Sequence, residues 1–147
     1  MVESANDPYG RRAFTKSPYA AKRPLNGKLV AVLRGSMEDR GLHLIQTISR
    51  TVKTGDVHEF IATSEDDAAP GSTVDRIHYL GFVEFVRGGV VVCGDAVHIG
   101  GKTAGTVVGF DETHAPNHLN IVIRTGERLS GEELGLRVED PVTISGL

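Results

Sequence analysis

Two imidazoles and two carboxylates fall within eight residues, in Asp111-Glu112-Thr113-His114-Ala115-Pro116-Asn117-His118. Imidazole nitrogen and carboxylate oxygen are ordinary ligands of zinc and similar divalent ions, so Asp111, Glu112, His114 and His118 form a candidate metal set. The His-x-x-x-His spacing suits a helix, but Pro116 between the histidines opposes one, and the ion would be held by a loop. The competing reading is a polar turn in which Asp111 closes an Asx turn and both histidines face water.

Three further groups stand on apolar segments upstream. His98 in DAVHIGG points away from the face of Val97 and Ile99 if that segment is a strand. It is then a solvent or interface histidine, or it joins His114 and His118 across a shared wall. Glu84 shares a strand face with Phe82 and Val86. A carboxylate on an apolar face must find a donor or take up a proton, so Arg76 and Arg87 are candidate partners and general acid–base work is the alternative. His78 lies six residues before Glu84, on the same face of a regular strand. Cys93 has no basic neighbour in sequence and reads as a small core residue. Gly100-Gly101-Lys102-Thr103 lacks the upstream glycine and the following helix of a phosphate-binding loop, and is set aside.

The elements that would carry these groups are short valine-rich strands broken by glycine turns, most clearly over residues 81–124. Residues 28–34 read as a first strand, and Gly35–Gly41 as a polar connection with one helical turn capped by Ser36. Leu42–Val52 reads as a longer strand, and Lys53-Thr54-Gly55-Asp56 as a hairpin turn into Val57–Thr63. Ser64–Ser72 is an acidic loop. Gly100-Gly101 makes a tight turn into residues 103–110, where Gly105 and Gly109 signal bulges. Ser130 and Glu133 stand in capping-box spacing for a second short helix. A last strand spans Leu136–Ile144, broken by Pro141.

The expected architecture is mainly β: a small closed or nearly closed barrel with one or two short helices and an extended N-terminal arm. Residues 1–26 would be the arm and residues 27–147 a single barrel domain. Closure protects strand edges from pairing with other molecules. Six basic side chains against Glu3 and Asp7 give residues 1–28 a charge of +4, leaving −7 of the total −3 for the remainder. That distribution argues against nucleic acid as a partner. Tyr9, Phe14 and Tyr19 give the arm apolar anchors for docking on protein, including a second copy. No apolar run approaches the roughly 20 residues of a membrane span, and no secretory leader is evident. With one cysteine and so no internal disulfide, the expected setting is the cytoplasm.

The second half carries a family resemblance. Gly94-Asp95-Ala96-Val97-His98-Ile99-Gly100-Gly101, then Ala104–Gly109 ending in Val108-Gly109, then Asn117-His118-Leu119-Asn120-Ile121-Val122-Ile123 and Gly126, resembles the IIA component of the glucitol/sorbitol phosphotransferase system. The likeness spans residues 79–144. It implies a shared barrel. In that family a histidine after a short apolar strand takes a phosphoryl group from the carrier protein. The matching stretch is Tyr79–Phe85, and Glu84 stands at the histidine's place, so the resemblance implies fold without the phosphohistidine relay; His78 is the nearest imidazole in sequence.

The expected role is therefore non-catalytic: an accessory or regulatory domain of bacterial type, binding a protein partner or a small polar ligand. The face bearing His78, Glu84, His98, His114 and His118 would do the binding, with no cofactor, and the arm would mediate self-association. The alternative is a small enzyme, assisted by a divalent metal such as zinc, that acts on a polar metabolite through His114, His118 and Glu84.

Overall fold

The computed structural model describes residues 17–146. Expectations that rest on residues 1–16, among them the anchors Tyr9 and Phe14 and the basic pair Arg11-Arg12, lie outside the described residues. Twelve strands follow in chain order. They are β1 (Leu25–Val32), β2 (Ser36–Met37), β3 (Leu42–His43), β4 (Ser49–Val52), β5 (Val57–Thr63), β6 (Thr73–Val74), β7 (Ile77–Arg87), β8 (Gly89–Val92), β9 (Ala96–Ile99), β10 (Lys102–Asp111), β11 (Asn120–Arg124) and β12 (Pro141–Ser145).

Seven of them close into a ring in the order β1-β12-β9-β10-β11-β5-β7, with β7 pairing back onto β1. All neighbours are antiparallel except β5 and β11, which run parallel. β2 extends the ring at β7, where Ser36 faces His78. Two small sheets, β3–β6 and β4–β8, lie beside it.

Alternation along the strands builds two cores. Leu29, Phe60, Leu80, Val83, Phe85, Val97, Phe110, Ile121, Ile123 and Ile144 belong to one buried cluster, the ring's interior. Ile61 and Val122 point the other way, between residues of that cluster, into a second cluster covered by Leu42, Leu44, Ala68 and Val74. β5 and β11 are therefore buried on both faces, which is why Phe60-Ile61-Ala62 and Ile121-Val122-Ile123 read as unbroken apolar runs.

The glycines act where expected. Gly100 (φ 61°) and Gly101 (φ 82°) form the two-residue turn between Ile99 and its partner Lys102. The register of β10 shifts between Thr103 and Gly105 against β9, and between Val107 and Gly109 against β11. A Cβ at Gly105 would collide with the carbonyl oxygen of Arg124.

Several local expectations are corrected. Among the described residues there is no helix. Ser36 lies in β2 rather than capping a turn. Ser130 and Glu133 do form the reciprocal capping bonds, Ser130 N–H to Glu133 Oε1 (3.0 Å) and Glu133 N–H to Ser130 Oγ (3.3 Å), which hold the Glu133 carboxyl below its usual range. The turn stops at Gly135, whose φ of 75° is left-handed, so one turn is all that forms. Leu42–Val52 is not one strand but β3 and β4 with an irregular stretch between them. The turn at residues 53–56 exists, yet the strands it joins do not pair. β4 pairs with β8, while β5, with both faces apolar, takes two ring neighbours.

The described part of the arm, residues 17–24, lies along the body as an irregular strap. Tyr19 Oη meets Ser49 Oγ at 2.9 Å, Arg23 Nη2 donates to the Gly88 carbonyl at 3.1 Å, and Lys22 Nζ sits 2.7 Å from Asp95 Oδ2. Among the described residues no helix is long and apolar enough to cross a membrane.

Candidate functional site

The 111–118 loop leaves β10 and enters β11, so its ends are fixed by the Asp111–Asn120 pair at the mouth of that hairpin. Asp111 is buried and fully engaged. Its Oδ2 accepts the Thr113 N–H (3.2 Å) and the Asn120 amide (2.9 Å), and its Oδ1 accepts the Thr113 hydroxyl (2.8 Å). The Asx turn offered by the sequence is thus formed, and it withdraws this carboxylate from any ion. Backbone bonds from Ala115 to Glu112 (3.0 Å) and from Asn117 to His114 (2.8 Å) tighten the loop further. Glu112 is exposed and ion-paired with Arg50.

The loop's last residue, His118, and Leu119 after it are stapled to two consecutive residues of β5. His118 Nε2 lies 3.2 Å from Glu59 Oε1, and the Leu119 N–H donates to His58 Nδ1 at 2.9 Å. The Glu59 N–H returns a bond to the Leu119 carbonyl at 3.0 Å. Strand alternation sends the two β5 side chains opposite ways. His58 turns in against Phe85, with ring centroids 6.1 Å apart. Glu59 turns out, between its register partners Phe82 and Asn120. There His118 packs edge-on to Phe82 at 5.0 Å, and His114 stacks on His118 at 5.0 Å.

The proton positions follow from the partners. His58 Nδ1 accepts a backbone N–H, so its proton sits on Nε2 and is directed at Asp56 Oδ2, 3.3 Å away. The Asn117 amide nitrogen lies 2.8 Å from His118 Nδ1, which places the His118 proton on Nε2, facing the Glu59 carboxylate. Burial raises the Glu59 carboxyl above its usual range, with His118 opposing that shift. Burial lowers His58, with Asp56 opposing. The His118–Glu59 pair is covered, at 11% and 9% side-chain exposure, while the His114 ring above it is open to solvent.

The candidates from sequence divide accordingly. His114 and His118 come together, but Asp111 and Glu112 turn to other partners. Among the described residues no group of three or more His, Cys, Asp or Glu side chains is arranged to hold a metal ion. The metal set read from the sequence is not assembled among the described residues: Asp111, Glu112 and His118 hold separate local bonds, and His114 stacks on His118. Glu84 lies on the same outer face as Phe82, half-buried, opposite Lys28 of β1 and Val57 of β5. Among the described residues it makes no ion pair, and Arg76 instead approaches Glu65 at 4.0 Å. His98 does not join the group. It faces Thr103 at the far end of β10 from Asp111, eight residues along the strand, on the order of 25 Å away, and bonds the Thr103 hydroxyl at 3.3 Å. His78 lies toward the start of β7, beside Ser36 and Ala62.

Sequence reasoning missed Glu59, His58 and Asp56. Their signal is the Asp-Val-His-Glu run entering β5, where Glu59 is the one carboxylate within the strand.

A family model defined by residues equivalent to 19–145 matches from the strap through the last strand. The chain belongs to the DUF6917 family, a family of unknown function. No curated protein and no solved structure matches it. The match takes in the whole ring, so the Glu59–His118 staple and the strap are both parts of the DUF6917 unit.

Proposed function

We propose that this DUF6917 chain is a non-catalytic binding module, a small barrel of the kind implied by the resemblance to glucitol/sorbitol IIA components, that docks a protein partner on the outer face of β5 and β7. The observation that carries this reading is the composition of that one face. Val57 (40% exposed) and Val86 (58% exposed) stand beside half-buried Phe82 and Glu84, and the His118–Glu59 pair with exposed His114 forms the rim. Apolar surface around a lone carboxylate and bordered by hydrogen-bonding groups is what an interface centre and its rim require. Asp111, Glu112 and His118 are engaged in local bonds, and among the described residues no group of three or more His, Cys, Asp or Glu side chains is arranged to hold a metal ion, which supports this reading over the metal-assisted one. The closed ring and the bulges at Gly105 and Gly109 support the barrel reading. In this reading the module works in the cytoplasm, consistent with its lone Cys93. Self-association through the N-terminal arm belongs to the same reading and is measured by sedimentation with and without residues 1–16.

The face is tested by placing a photo-crosslinking amino acid at Val86, Val57 or, as a control on the far hairpin, Lys102. A discrete adduct is expected from Val86 and Val57 but not from Lys102, and it should fall at least tenfold with Phe82→Ala or Glu84→Lys. Equal yields from all three positions, or adducts indifferent to both substitutions, would end the proposal.

A further inference from the structure

A cavity of about 450 Å³ lies between the strap and the β8–β9 turn. Its roof is Ser17–Pro24, its floor Val92–Asp95, and Ser145-Gly146 close one side. The volume is within the range of small-molecule sites, about 300–1,000 Å³. Taking a water's share of liquid volume, about 30 Å³, for each heavy atom, it holds on the order of fifteen of them.

The lining sets the chemistry. Among the described residues around the cavity, Lys22 and Asp95 are the charged ones, and they neutralise each other across 2.7 Å. Both are largely covered, at 12% and 5% side-chain exposure, and Asp95 Oδ2 also accepts the Val92 N–H at 2.9 Å. The contact brings charges together without a well-directed hydrogen bond, and the Lys22 ammonium is otherwise unsatisfied. Among the described residues a third ion beside this pair would find no spare counter-charge, so burial there disfavours an ionised ligand. The remaining surface mixes Ala20, Ala21, Val92 and Cys93 with Tyr19 and Ser145; the Tyr19 hydroxyl itself is held by Ser49 Oγ at 2.9 Å. Among the described residues the strap makes no backbone–backbone hydrogen bond to the body; its Tyr19 N–H is taken by Ser17 Oγ at 3.2 Å, and the Lys22 ammonium keeps spare donors at the cavity.

We infer that this cavity is a binding site for a small, uncharged, partly apolar molecule bearing hydroxyl or carbonyl oxygens, held between the strap and the Cys93–Asp95 turn. Apolar carbon lies against Ala20, Ala21 and Val92, while an oxygen accepts from the otherwise unsatisfied Lys22 ammonium beside Ser145. The Lys22–Asp95 contact pins the strap in place as the roof.

The test is protein-observed NMR on the full chain. It uses a panel of uncharged aliphatic diols, lactones and amides of up to about fifteen heavy atoms, each beside a carboxylate and an ammonium analogue. At least one uncharged member should produce saturable shifts at Ala20, Ala21, Cys93 and Gly94, with its ionised analogues at least tenfold weaker. Ala20→Phe, a change on the exposed strap that fills the roof, should weaken binding at least tenfold while the resonances of β5 and β11 stay in place. The inference is overturned if no member saturates those resonances, if ionised analogues bind as tightly, or if Ala20→Phe binds like the parent protein.

Discussion

At the scale of single residues, the consequential pair is Glu59 with His118, and its neighbour is His58. Burial acts on both titrating β5 side chains but in opposite senses. Glu59 holds its proton more strongly folded than unfolded, so its contribution is fully present below the usual glutamate range and is lost as pH rises through the folded value. His58 holds its proton less strongly folded than unfolded, so its contribution is present above the ordinary histidine value of 6.5 and is lost as pH falls below it. Glu59→Gln removes the first effect and leaves the second. In urea unfolding at a series of pH values, the stability of Glu59→Gln relative to the parent should rise as pH increases from about 4 to about 7. A difference that stays flat, or falls, would show that burial of the Glu59 charge does not dominate the site. His118→Ala should cost about 1–3 kcal/mol near neutral pH, because the covered carboxylate then loses its donor; chemical denaturation reads this directly, and a loss below about 0.5 kcal/mol would contradict it.

At the scale of elements, the bulges bend β10 so that it reaches both β9 and β11. Gly105 is the clearest case, because a side chain there meets backbone rather than a movable neighbour. Gly105→Ala should destabilise by about 2–3 kcal/mol, lowering Tm by roughly 10 °C. Gly126 is the contrast: no atom lies within 4 Å of a Cβ built there. Its replacement by Ala should stay within about 0.5 kcal/mol. Calorimetry of the two variants distinguishes a steric demand at Gly105 from a general sensitivity to losing glycine. The bulges were legible because a glycine inside a valine strand has few other uses. The partner of β4 was not, because a turn at Gly55 predicts a hairpin only if nothing else competes for β5. Here β7 and β11 do compete, and they take both its hydrogen-bonding edges while the two clusters bury its faces.

At the scale of the whole molecule, closure of the ring divides the protein into parts that must open together and parts that need not. Every ring strand has at least two hydrogen-bonded neighbours, whereas β3 and β6 pair through two residues each beyond the ring. Amide exchange at Ile61, Val83 and Val122 should approach the free energy of global unfolding, and exchange at Leu42 and Val74 should fall short of it by at least about 2 kcal/mol. Equal protection throughout would mean that the β3–β6 cover is part of the same cooperative unit.

Composition and local pattern were enough to determine the β character, the glycine turn at Gly100-Gly101, the bulges on β10 and the Asx turn of Asp111, since each depends on backbone freedom or on atoms a few residues apart. Pairing between distant segments lay beyond them. The parallel contact of β5 with β11 places Glu59 beside Asn120, and the β5–β7 register sets it against Phe82. Those neighbours are chosen by which faces can be buried together, a competition among all strands at once. His98, on an equally suitable strand, was carried to the far end of β10 by the same competition. A side chain's chemistry is written locally, whereas its company is decided by long-range burial.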